Sequence, residues 1–307
     1  MFQRSRRMLA AFGLVAITSI SMTACGGTDN SSDGSSGGGS SSEFDLSKVK
    51  KDDAAASLLP ADLKSKGTLV VGTDTTYPPN EYIDSDGKTI IGMDIDLIKA
   101  VGKKLGVEME PQTAAFETII PSIGSNFDLA ISSFTINAER MQVVDFVSYY
   151  NAGTVWTVKK GTTVDPNDAC GKKVAVQTGT IQDTDDLPAK TKACTDAGKP
   201  AIDIQKYDSQ GDATTAVVTG KADAMLADLP VIVDAINASN GELEQAGEMY
   251  DAAPYGIALP KGKEKFADAV LGAVKSLMDD GTYDEILKKW NADAGALKTP
   301  EINPSGG

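Results

Sequence analysis

Residues 130–150 read AISSFTINAERMQVVDFVSYY: an apolar run suited to a buried strand, a polar turn, and then a stretch whose spacing predicts a helix. Asn137 is a good N-cap for that helix, because its side chain can accept from the unmatched N–H groups of a first turn. Arg140 then falls in the first turn, where a cation opposes the helix dipole. A bound anion would reverse the sign of that cost. A guanidinium offers paired donors to a carboxylate, and free N–H groups at a helix start add to them. The alternative is an ordinary surface arginine.

Outward from this stretch, short apolar runs alternate with helical patterns, which argues for an α/β chain with parallel sheets covered by helices. On the N-terminal side, strand 68–73 leads to a helix over 94–105, with Ile95, Ile98, Val101 and Leu105 on one face and Gly106 closing it. Strand 108–113, helix 117–124 and strand 129–132 follow. On the C-terminal side, strand 173–177, a helical stretch after Thr180, strand 202–207, helix 213–219 and strand 224–227 form a second set. Asp228 then reads as the N-cap of a helix over 229–240. Helices over 263–280 and 283–291 close the pattern, and the tail 293–307, with Pro300 and Pro304, reads as extended or loose.

The chain has 307 residues, 41% of them apolar, with 29 Lys and Arg against 43 Asp and Glu. That is enough for a sizeable core, in two lobes more readily than one. A net charge of −14 argues against nucleic acid as a partner, which calls for a basic face. There is no histidine, which excludes Ser-His-Asp and Cys-His catalysis and histidine metal sites, and no cofactor is expected.

Residues 1–24 read as a signal peptide, with Arg4, Arg6 and Arg7 ahead of an apolar run that is too short for a comfortable membrane span. The run ends in MTAC at 22–25, which resembles the lipobox of bacterial lipoproteins, with Met22 where that motif usually has Leu. This implies a mature chain beginning at a lipidated Cys25 on the outer face of the cytoplasmic membrane. Residues 26–42, GGTDNSSDGSSGGGSSS, form a flexible tether with a reach of roughly 20 to 25 Å. Together with a charged lead-in they make up 25–66. Outside the cytoplasm, Cys170 and Cys194 form a disulfide by default, and closing that loop stabilises by roughly 3 to 4 kcal/mol in the chain-entropy model.

Several segments resemble one family. They are GTDTTYPP at 72–79, GMDIDL at 92–97, FETIIP at 116–121, the opening stretch, ADAMLAD at 222–228, YGIALPK at 255–261 and DGTYDEILKKW at 280–290. In this order they resemble the solute-binding family 3, the extracytoplasmic binding proteins of polar amino-acid ABC transporters. The resemblance implies a two-lobe periplasmic-binding-protein-like fold of type II with a hinge of two crossing strands. Lobe 1 would comprise 67–153 and 256–292, and lobe 2 would comprise 154–255. Residues 154–158 and 256–259 would make the crossings.

It also implies a function: a monomeric, membrane-tethered protein that closes on a free amino acid and hands it to a permease. The ligand's carboxylate and ammonium both leave water on closure, so each needs a partner. Arg140, Thr135 and the backbone near Thr180 are the candidates for the carboxylate, and Asp228 for the ammonium. Tyr77 and Phe116 match the aromatic pair that sandwiches the ligand side chain. Ser132 and Ser133 match positions offering a hydroxyl and a carbonyl.

Asp74 would meet the polar end of that side chain, favouring cationic or amide ligands over glutamate. Asn80 and Glu81 are expected near the mouth. Asn137 stands where many members have a second threonine. Gln177 and Ile181 stand at positions that vary between cationic and amide binders. The competing readings are a dehydratase acting on a carboxylated ring, with Glu117 as its acid, and a tethered sensor presenting the same ligand to a receptor.

Overall fold

A computed structural model describes residues 43–304; the signal peptide, Cys25 and the Gly/Ser tether lie outside the described residues. The lead-in folds into α1 (Asp53–Leu58) and α2 (Ala61–Lys66). Then come β1 (Thr68–Thr73), the short strands β2 (Thr76–Tyr77), β3 (Glu81–Ile83) and β4 (Ile90–Ile91), and α3 (Met93–Leu105). They are followed by β5 (Glu108–Thr113), α4 (Phe116–Ile119), β6 (Leu129–Ala130) and the long β7 (Val144–Lys159). The second set is β8 (Lys173–Gln177), α5 (Leu187–Asp196), β9 (Asp203–Tyr207), α6 (Gln210–Val218), β10 (Ala224–Asp228) and α7 (Leu229–Ala238). The long β11 (Leu243–Pro260) leads back to α8 (Glu264–Asp279) and α9 (Thr282–Lys289).

Eight strands hydrogen-bond in the order β5-β1-β6-β11-β7-β10-β8-β9. β5, β1 and β6 are parallel to one another, as are β10, β8 and β9. The antiparallel pair β7 and β11, 16 and 18 residues long, joins the two sets. This is the two-lobe α/β arrangement with two crossing strands. The first lobe packs Leu69, Val71, Leu97, Ile98 and Val101 against Val270, Val274 and Leu277 of α8. In the second, Trp156, Val174, Val176 and Leu226 pack on one face of the sheet, and Val217, Met225 and Ile232 on the other. The disulfide between Cys170 and Cys194 forms within that second lobe, tying the approach to β8 onto α5.

The acids in the first turn of α3 suit the positive end of its dipole, and Asp96 also fixes neighbouring elements. Its Oδ2 accepts from Lys289 Nζ at 2.6 Å and Trp290 Nε1 at 2.7 Å, while its Oδ1 accepts from Phe44 N at 3.2 Å. The lead-in therefore docks on the first lobe. Gly92, ahead of α3, has φ of 135°, and a Cβ there would overlap the Asn80 carbonyl, so only glycine fits.

Two expectations fail, and a third, the extended or loose tail, is narrowed to one of its alternatives. The stretch after Asn137 is not a helix: it makes a single 3₁₀ turn at Arg140–Gln142 and enters β7 at Val144. Asn137 caps only that turn, its Oδ1 accepting from Arg140 N at 2.8 Å. The apolar residues from Val144 to Tyr150 are buried at every position, not on one stripe, and their β-branched and aromatic side chains suit a central strand. The helix read over 117–124 shrinks to α4 and a 3₁₀ turn at Ile120–Ser122, with Pro121 inside the turn. The tail is not loose as far as Pro304: Ile302 bridges Val147 and Ala296 bridges Tyr150. Asn303 also accepts from Phe146 N at 2.8 Å and donates to its carbonyl at 2.9 Å.

Candidate functional site: a cleft between the lobes

The loops at the C-terminal ends of β1, β6, β8 and β10 meet at one cleft. Lining it are nine of the residues singled out from the sequence: Tyr77, Phe116, Ser133, Thr135, Arg140, Gln177, Thr180, Ile181 and Asp228. Gln182 completes the lining. Asp74 and Ser132 stand one layer behind, linked to each other by Asp74 N donating to Ser132 Oγ at 2.9 Å. Asn80 and Glu81 are buried beneath the cleft and not at its mouth.

Arg140 reaches across from the 3₁₀ turn that replaces the expected helix. Its Nη1 donates to Thr135 O at 2.8 Å and its Nη2 to Gly179 O at 3.1 Å. The guanidinium lies over the rings of Phe116 and Phe134, 5.4 and 5.9 Å from their centroids. No carboxylate pairs with it among the described residues. Burial lowers its pKa to about 10, partly offset by Asp228, so it is still a cation at neutral pH. A desolvated cation held by two carbonyls and two ring faces can accept an anion. Gly179 has φ of 79°, and a Cβ there would press on Glu117 Cβ, so the carbonyl that Arg140 meets depends on glycine.

Asp228 ends β10 and precedes α7, yet its side chain makes no capping bond to that helix. It turns into the cleft. Tyr255 OH donates to Oδ2 at 2.6 Å, Tyr77 OH to Oδ2 at 3.0 Å, and Gln182 Nε2 to Oδ1 at 2.8 Å. Burial raises the pKa of Asp228, while these three donors and Arg140 pull it back. Burial and Asp228 hold both tyrosines well above the usual phenol range, so they act as neutral donors. Gln182 and Tyr255 are not among the residues expected at the site. A tyrosine inside the buried crossing strand was the available signal, since a buried hydroxyl needs a partner.

Gln177 sets the polarity of the remaining wall. Its Nε2 donates to Asp74 Oδ2 at 2.5 Å, with Asp208 O at 3.3 Å and Thr76 Oγ1 at 3.4 Å nearby. With the amide N–H groups so engaged, Oε1 meets no donor among the described residues and remains an acceptor. Asp74 is raised by burial and restrained by Thr76 and Gln177. The cleft thus offers a cation at one end, a carboxylate at another and an amide acceptor along the wall, with aromatic faces between.

A model of the bacterial extracellular solute-binding proteins, family 3, matches residues 69–293. The arginine-binding protein ArgT of Corynebacterium glutamicum is 38% identical over 250 residues, covering 80% of this chain and 82% of that protein. Among solved structures, an ancestral arginine-binding protein bound to arginine superposes with a TM-score of 0.67 at 37% identity, covering 73% of this chain and 98% of that one. An ancestral arginine-binding protein bound to glutamine gives 0.66, also at 37% identity, over 73% and 97%. The chain belongs to the bacterial extracellular solute-binding proteins, family 3.

Proposed function

We propose that this protein binds one free amino acid with a cationic or amide side chain and delivers it to the permease of an ABC transporter. The observation that carries the reading is the pairing of opposites in one cleft: Arg140, with no carboxylate partner among the described residues, and Asp228, a buried carboxylate. The ligand's α-carboxylate goes to Arg140 and the Thr135 hydroxyl, and its ammonium to Asp228. Tyr77 and Phe116 flank the side chain, and its polar end meets the acceptor face of Gln177 with the charge of Asp74 behind. The arginine and glutamine in the names of similar structures agree with that wall.

Lobe 1 is taken as 67–153 and 256–292, and lobe 2 as 154–255. Contacts from both lobes favour the closed form, so ligand shifts a pre-existing equilibrium. The chain is anchored by lipid at Cys25 and works as a monomer. The dehydratase reading is not supported by Glu117, which is exposed and does not line the cleft. A catalytic acid of that kind needs burial.

Calorimetric titration of refolded protein with arginine, glutamine and glutamate tests the reading. Binding of arginine or glutamine with glutamate at least about tenfold weaker is expected. Preferential binding of glutamate would overturn the polarity assigned to the wall, and no binding of any amino acid would overturn the function.

A further inference from the structure

Beneath the cleft lies a second cluster of acids that is not part of its lining. Glu81 and Asp94 are both buried, and neither forms an ion pair among the described residues. Ser132 Oγ donates to Glu81 Oε1 at 3.1 Å, and Ser133 Oγ to Oε2 at 3.2 Å. Asp94 Oδ2 accepts from Ser133 N at 2.8 Å and Tyr149 OH at 2.7 Å. Its Oδ1 is buried with no donor of its own. The two carboxyl groups converge on one hydroxyl, whose single proton cannot serve both: Ser133 Oγ lies 3.2 Å from Glu81 Oε2 and 3.4 Å from Asp94 Oδ2. Two ionised carboxylates in that position would repel with no cation to compensate.

We infer that Glu81 and Asp94 share one proton at neutral pH, carried by Glu81 and donated to Asp94, and that this neutral-anionic pair is the positioning framework of the ligand site. The shared proton supplies the missing donor. Through Ser132 the pair holds the backbone N–H of Asp74, and through Ser133 it fixes a residue of the cleft that sits at φ of 51°, strained for a non-glycine. Asn80 Nδ2 completes the cluster, donating to Ser133 Oγ at 2.9 Å.

The ionisable groups facing the pair are Asp74 from the end of β1, Tyr77 from β2, and Tyr149 and Tyr150 from β7. None is a cation, and the added negative charge of Asp74 favours the proton. Burial, then the neighbouring carboxylate, hold Glu81 well above its ordinary value of 4.5, and burial raises Asp94. The positioning role rests on the site proposed above; the shared proton does not.

Above pH 4.5 the unfolded chain loses the Glu81 proton while the native chain keeps it, so native stability falls as pH rises until the native group also ionises. Glu81→Gln, whose amide donates to Asp94 without titrating, lacks this fall. The ratio of its folding constant to that of the wild type should grow by up to about tenfold per pH unit in that window. Parallel stability curves would overturn the shared proton.

Infrared spectroscopy of the wild type needs no variant to fold. A protonated-carboxyl stretch is expected at pH 7.5, and its absence would overturn the inference. For positioning, Glu81→Gln should bind arginine within about threefold of the wild type, and folded Glu81→Ala more than about tenfold more weakly. Equal binding by Glu81→Ala would overturn the positioning role. A wild type that binds no amino acid overturns the proposed site instead, while the pH and infrared readouts still decide the proton.

Discussion

Gln177 and Asp74 come from different lobes, and the amide of the first donates to the carboxylate of the second at 2.5 Å. That bond turns the carbonyl oxygen of Gln177 into the available face, and it keeps a negative charge directly behind it. In the site proposed above, selectivity rests on this pair, with neither member sufficient alone.

Asp74→Asn removes the charge and keeps the shape. Arginine binding should weaken by about 2 kcal/mol, the size of a charge-assisted hydrogen bond, while glutamine changes by less than about 0.5 kcal/mol. Paired titrations with the two ligands measure this. Equal losses for both would show that Asp74 acts on the fold and not on the side chain.

Arg140→Ala should weaken any α-amino acid by about 2 to 5 kcal/mol, because the ligand carboxylate is left buried without its partner. Arg140→Lys should recover only part of the loss, since an ammonium cannot reach Thr135 O, Gly179 O and a carboxylate with one planar fork. Full recovery by lysine would mean that charge alone matters there.

Affinity should fall as the solution is made acidic. Asp228 has a raised pKa, so protons compete with the ligand ammonium as pH drops through that raised value, and binding in this range releases a proton. Titrations in buffers of different ionisation enthalpy report the proton directly. Asp228→Asn should bind weakly at every pH and lose this slope. A wild-type affinity independent of pH down to the point of unfolding would exclude Asp228 as the ammonium partner.

Cys170→Ser with Cys194→Ser opens a loop of 24 residues' separation inside the second lobe. A loss of about 3 kcal/mol follows from the chain-entropy model, or a Tm lower by roughly 6 to 12 °C for a body of this size. Ligand affinity below the transition should stay within about twofold, because neither cysteine lines the cleft. A large change in affinity with little change in Tm would show that the bridge acts on closure.

Much of the scaffold was legible because its signals are local. β1, β5 and β8 have the bounds their short apolar or alternating runs suggest, and α3 ends at Gly106 in the left-handed conformation that glycine favours. The stretch from Asn137 to Val143 misled because a cap residue followed by mixed polarity looks the same before a full helix and before one turn. What decides is the pairing of Val144–Lys159 with β11, about a hundred residues away. The anchoring of the tail on β7 is equally non-local.

At the site, the resemblance supplied Tyr77, Phe116 and Asp228 as ligand residues. The partners that define their chemistry, Gln182, Tyr255 and the Glu81–Asp94 pair, are brought together only by the fold. No spacing along the chain encodes a contact between β11 and β10, or between β3 and α3.

β7 and β11 run side by side through the centre of the sheet, so the two halves are joined by neighbouring ribbons already bonded to each other. Ribbons clamped in this way bend together far more readily than they slide, which reduces opening and shutting to rotation about one line. The register of the pair breaks within β11, between Ala246 and Gly256. Rotation about one line makes the energy of shutting a common multiplier on affinity. Substitutions along that short segment would therefore scale the binding of every ligand by the same factor and leave their ranking intact, so strength and choice can evolve separately in this protein.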